Sequence, residues 1–205
     1  AIEFLGEEMP TWGDRCPITV NVNKRLGAGG ATTFVFNDGE VFGWRMSIQG
    51  SHERILDSVI PHEIMHMISA SMLRKPLPRW LDEGVSTSIE HVSEKQRYRK
   101  MLIEFLHSQR GIPFNAMFAI KEYPSDIMPL YAQGFSLAEF LIDLKGKKKF
   151  AEFMQRGAEL GNNPLAWRQA LKEIYGTDNL GKLQNTWLDW VSNGFPNICT
   201  EGEMV

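Results

Sequence analysis

The chain has 205 residues, of which 43% are hydrophobic and 23% charged, and it carries a net charge of −3. That balance fits a single soluble, globular domain able to bury its own core. It leaves no basic footprint for nucleic acid, and no apolar run reaches the ~18–20 residues that span a membrane.

In chain order, residues 1–50 read as mainly β. Cys16-Pro-Ile-Thr-Val-Asn-Val22 alternates with period two and is rich in β-branched residues. After the glycines of 27–30, Ala31–Phe36 forms a second strand, Asn37-Asp-Gly-Glu40 a hairpin turn, and Val41–Ile48 the return strand. A helical segment starts at Ser51 or Ser58 and runs to about Leu73, with Pro61 either in its first turn or kinking a longer helix. Pro76 and Pro78 stop it, and a second helix covers Arg79–His91. A third spans Ser93–Gln109, its Ser93-Glu-Lys-Gln96 start resembling a capping box, and 111–115 is a loop. Further helices fall near 129–145, 148–160, 164–175 and 179–193, each followed by a glycine. The basic run Lys145–Lys149 is a solvated connection.

The fold class is therefore α+β within one domain: a small N-terminal sheet (1–50), two helices bearing the candidate site (51–92), an all-α lobe (93–195) and a tail (196–205). Cys16 and Cys199 lie near opposite ends, in no C-x-x-C pattern, and are open to pairing or to staying free. The chain opens on Ala1 rather than Met, which points to a processed or trimmed start.

The chemistry concentrates in Ser58-Val-Ile-Pro-His-Glu-Ile-Met-His-Met67. A step of four residues brings His62 and His66 to one helix face, about one turn apart, where two imidazoles reach a single metal ion. Glu63 lies about 100° round, off the ligand direction but able to act as a general base, the arrangement of zinc peptidases. Apolar Ile64, Met65, Met67 and Ile68 bury this helix, and a metal gives the histidines a partner there. Two histidines leave zinc short of a third protein ligand. Ser69 and Met72 stand where a metzincin has Gly and His, which excludes that class. Asp82, Glu83, Glu90 and His91 remain as candidates. If Glu83 faces the ion, Thr87 and Glu90 share its face and become partners for the outer ring nitrogens of the histidines.

Trp80-Leu-Asp-Glu-Gly84 after His62-Glu-x-x-His66 resembles the gluzincins, whose third ligand is the glutamate of a W-L-x-E-G segment. Most of residues 10–195 is similar to the peptidase MA-like domain family of bacteria, notably planctomycetes. The match includes Gly27-Ala-Gly-Gly-Ala-Thr32, Gly39-Glu-Val-Phe-Gly43, Leu77-Pro-Arg-Trp80 and Tyr131-Ala-Gln-Gly-Phe-Ser136. The resemblance implies one zinc ion on His62, His66 and Glu83, and hydrolysis of peptide bonds by Glu63-assisted attack of zinc-activated water. It implies Tyr131 as donor to the oxyanion, although Gln133 replaces the usual lysine of Y-x-K-G. It also implies that Val41–Ile48 is an edge strand holding an extended peptide or protein substrate through Trp44, Met46 and Ile48. The G-x-M-E-N carboxylate of the aminopeptidases is missing from Gly43-Trp-Arg-Met-Ser-Ile48, so aminopeptidase activity is not implied. Related enzymes are often exported, which implies an extracytoplasmic protein. The alternative is a catalytically inactive, zinc-stabilised module that binds protein or peptide through Phe135, Phe140, Trp167, Trp187 and Trp190; a further one is hydrolysis of a non-peptide amide.

Overall fold

The computed structural model describes residues 13–198 and has the α+β architecture: a three-stranded sheet followed by helices. Strand β1 spans Ile18–Val22, β2 Gly29–Asn37 and β3 Glu40–Gly50. Asp38 (φ 48°) and Gly39 (φ 77°) are both left-handed, the signature of a type I′ turn, and close β2 onto β3 as an antiparallel hairpin. Strand β1 pairs in parallel with the other side of β3, Ile18 opposite Met46 and Val22 opposite Gly50.

The order β1-β3-β2 makes β3 the central strand, which corrects the reading of Val41–Ile48 as an edge. Period-two alternation tells which side chains share a face, not which strands lie on either side. Trp44, Met46 and Ile48 are 4%, 3% and 2% exposed and pack on Ile55, Val59, Met67 and Ala70. They form a core layer between sheet and helix and offer nothing to a substrate. Among the described residues β1 and β2 are the edge strands, and it is β2 that borders the cleft over the paired histidines.

The helical run starts at Ser51, whose hydroxyl accepts from the Arg54 N–H. Pro61 lies inside this run, where a proline removes a donor. The backbone widens to receive it. An opening turn, His52–Arg54, passes into a π-helical stretch, Ile55–Val59, whose next N–H, that of Ile60, reaches back to the Ile55 carbonyl. The Asp57 carbonyl, which residue 61 would meet in a regular helix, accepts instead from the His91 N–H at 3.2 Å. Helix α1, Ile60–Leu73, follows and ends on left-handed Arg74 (φ 52°). Pro61 thus stands in the first turn of α1, and the longer run absorbs it without a break.

Helix α2 covers Arg79–Ser88 and α3 Val92–His107. The second helix therefore stops short of His91, which caps α3 instead: its Nδ1 accepts from the Ser93 N–H at 3.3 Å. The capping box expected at Ser93 does not form, because the cap lies two positions earlier. A short helix α4, Phe114–Met117, occupies part of the expected loop, since Phe114 is fully buried. Helix α5, Met128–Glu159, breaks at Gly146 (φ 81°), as the two helices expected there require. Helices α6, Pro164–Tyr175, and α7, Leu180–Ser192, begin on Asn163 and Asn179, whose side chains accept from the first turn.

Phe135, Phe140, Trp167, Trp187 and Trp190 are all 4% exposed or less, so they build the core of the lobe and present no interaction surface. Helix α2 crosses α5 backbone to backbone: a Cβ on Gly84 would collide with the Gly134 carbonyl, and one on Gly134 with the Trp80 carbonyl. This crossing sets Glu83 beside Tyr131. Among the described residues Cys16 is a free thiol; Cys199 lies outside them. No described helix is long and apolar enough to cross a membrane.

Candidate metal centre

Helix α1 presents His62 and His66 together, their rings 4.9 Å apart, because the four-residue step keeps them on one face. Helix α2 faces them with Glu83, whose Oε2 lies 3.3 Å from His62 Nε2 and 3.9 Å from His66 Nε2. One ligand atom from each of the three residues lies within 4.8 Å of the others, a group that could hold a metal ion. A tetrahedron with arms of ~2.0–2.1 Å has edges of roughly 3.3 Å, close to these separations.

The far sides of both imidazoles are occupied. His62 Nδ1 meets Glu90 Oε1 at 2.8 Å, and His66 Nδ1 meets Asp82 Oδ1 at 2.9 Å, with Ser86 Oγ at 3.2 Å. A carboxylate on Nδ1 fixes the tautomer and turns the Nε2 lone pair inward, the usual support for a metal-binding histidine. Glu83 is 2% exposed, and its Oε2 has no hydrogen-bond partner among the described residues, although both Nε2 atoms stand nearby. Its Oε1 accepts from the Tyr123 hydroxyl. A buried carboxylate oxygen without a donor, aimed between two oriented imidazoles, fits a cation.

The electrostatics agree. Burial opposes a charged His62, but the Glu83 carboxylate 3.3 Å from its Nε2 and the Glu90 carboxylate on its Nδ1 outweigh it and lift the imidazole from 6.5 to about 10. Burial likewise opposes charge on His66, yet Asp82 and Glu83 carry it upward. Burial alone would raise Glu83, but the two histidines and the Tyr123 hydroxyl bring it below the ordinary carboxylate range. Carboxylates of Asp82, Glu83 and Glu90 thus leave an excess of negative charge at the centre, which protons or a divalent cation can neutralise.

Glu63 is 3% exposed and lies outside the ligand group. Thr32 on β2 donates to its Oε2 at 2.6 Å, and Gly30 gives its side chain room: a Cβ there would stand 2.6 Å from Glu63 Oε1. Gly30→Ala is expected to push Glu63 aside while the fold survives, because the obstructing atoms, Cγ to Oε1 of Glu63, belong to one side chain and not to the backbone. If Glu63 serves as a general base, turnover should fall by about 10- to 100-fold with an unchanged melting temperature, read from kcat beside a thermal melt.

A cleft of about 620 Å³ opens over the centre, bordered by Gly29–Thr32 of β2, both histidines, Glu63, Glu83 and Tyr131. Tyr131 stacks near Tyr123, ring centroids 6.4 Å apart. Burial first, then the nearby charge of Glu83, push the Tyr131 hydroxyl well above its ordinary range, so it stays protonated and able to donate.

The structure brings together His62, Glu63, His66, Glu83, Glu90 and Tyr131. It does not bring in Thr87, whose Oγ1 is buried with no hydrogen-bond partner among the described residues. The reason is a one-position error in helix face: Asp82 and Ser86, four apart, serve His66, and Glu90 reaches His62 from beyond the end of α2. Their spacing was a usable signal. Tyr123 carried none, and Gly30 and Thr32 lay in the Gly27–Thr32 stretch with nothing to show their role, since only long-range closure of the chain brings them to the site. Comparison with protein-family models, with curated proteins and with solved structures gives no match.

Proposed function

We propose that the protein is a zinc-dependent peptidase of gluzincin type, with His62, His66 and Glu83 as ligands and Glu63 as general base. The unpartnered, buried Oε2 of Glu83 between two imidazoles whose Nδ1 atoms are already engaged carries this reading. Two imidazoles and one carboxylate are the ligand set of hydrolytic zinc, which keeps one position open. When bound, the ion supplies Lewis acidity, polarising a carbonyl and rendering water acidic near pH 7.

The chain's own groups do the rest. Glu63, oriented by Thr32, takes the proton of the attacking water and hands it to the leaving amine. The Tyr131 hydroxyl donates to the oxygen that gains charge, and Tyr123 holds Glu83 in register. The open edge of β2, rather than β3, offers backbone donors and acceptors to an extended peptide lying in the cleft. Export from the cytoplasm belongs to the same reading, because the resemblance implies it.

The test is cleavage of a peptide library by protein loaded with zinc. Hydrolysis that disappears with a chelator and returns with zinc supports the reading; no hydrolysis, or no zinc bound, overturns it. Asp82→Asn and Glu90→Gln should each weaken zinc about 10- to 100-fold in competition with a chromophoric chelator, because each removes the carboxylate that orients one histidine.

A further inference from the structure

We propose that Arg79 selects substrates that carry a carboxylate near the bond to be cut, an inference that rests on the peptidase reading above. Arg79 is half-buried at the first position of α2, one turn before Glu83. Its guanidinium lies over the ring of Tyr123, 4.5 Å from the centroid, and the hydroxyl of that same tyrosine bonds Glu83. The stack fixes the guanidinium relative to the ligand carboxylate. Stacking engages the face of the group and leaves its N–H edge free, the edge that grips a carboxylate bidentately.

That edge is unused. Other half-buried arginines face an acid: Arg54 meets Glu94 at 2.8 Å and Arg99 meets Glu139 at 2.9 Å. Among the described residues no carboxylate stands within ion-pair distance of Arg79, and no acceptor takes its side-chain donors; nearby Asp82 is committed to His66. A cation in the first turn of a helix also opposes the helix dipole, a local cost that fold stability does not explain. The location supplies the reason. Arg79 borders both the 620 Å³ cleft over the metal centre and a second chamber of about 400 Å³ beyond His66, which the two spaces also share. A peptide lying along β2 passes between these chambers, because Thr32 and Phe34 of that strand line both. Its carboxylate, from an acidic side chain or from the C-terminus, meets the free edge of Arg79 there.

The experiment uses three peptides built on one sequence cut by the zinc-loaded wild type and differing only in their carboxylates: one with a single internal acidic side chain and an amidated end, one neutral with a free C-terminal carboxylate, one neutral and amidated. Their binding to the Glu63→Gln protein is measured by calorimetry, and their kcat and KM with wild type. A carboxylate should tighten binding about ten- to a hundredfold and lower KM more than it raises kcat. Arg79→Gln should erase the difference and Arg79→Lys retain part of it. The first and second peptides separate a side-chain source from a terminal one. Equal binding of all three, or a preference that survives in Arg79→Gln, overturns the proposal and leaves the peptidase intact. Failure of wild type to cut any peptide of the library overturns the peptidase reading and this inference together.

Discussion

Glu63→Gln is expected to reduce peptide hydrolysis by at least about 100- to 10,000-fold while leaving metal content and melting temperature unchanged. The split follows from geometry. Glu63 is outside the His62, His66 and Glu83 group, so replacing it removes no ligand. The amide oxygen of glutamine still accepts from Thr32, so the side chain keeps its place under β2 beside Gly30. What is lost is a basic oxygen able to take a proton from water and return it to the departing amine. A structural zinc module has no use for that oxygen, so the variant also separates the enzyme from the binding module. Elemental analysis, a thermal melt and kcat on one library-derived peptide decide the matter. Turnover near wild type would remove Glu63 from the chemistry; loss of zinc would place it among the ligands.

Local spacing made the centre of this site legible. His62, Glu63 and His66 occupy one helix, where a four-residue step has a single geometric meaning, and Glu83 sits in a motif on the next helix. The α+β division was legible for the same reason: period two gives way to helical period near residue 51. What failed was whatever depends on neighbours distant in sequence. Trp44, Met46 and Ile48 alternate as an exposed edge or as a central strand would, and only the parallel pairing of β1 decides between them. Thr87 was misplaced because sequence did not show where α2 ends or which of its faces meets α1. Tyr123 lies outside any regular element, forty residues from the Glu83 that it bonds. Gly30 and Thr32 stood in a recognised motif, but their work, clearing and holding Glu63, appears only when β2 lies across α1.

The same dependence on distant packing gives the largest expected effect on stability. Gly84→Ala places a methyl group against the Gly134 carbonyl on α5, and the atoms in its way are backbone, which cannot turn aside. Helices α2 and α5 must separate, opening the layer that includes fully buried Trp80, Leu81 and Phe135. Overpacking of this kind costs about 1–3 kcal/mol where side chains can yield and more where they cannot, so about 3 kcal/mol or more is expected here. For a domain of this size that is a fall of about 6–12 °C in melting temperature. Zinc affinity should fall with it, because Glu83 is next in chain to Gly84 and moves with α2 while His62 and His66 stay on α1. Gly134→Ala should reproduce both effects from the opposite helix, since its methyl meets the Trp80 carbonyl. The double variant should cost less than the sum of the two, because the first substitution already parts the helices and makes room for the second. Urea denaturation of the four proteins, with zinc and without, measures the cycle. A loss under ~0.5 kcal/mol in either single variant, the range of an ordinary surface change, would mean that the two backbones do not touch, and the placement of Glu83 beside Tyr131 would lose its physical basis.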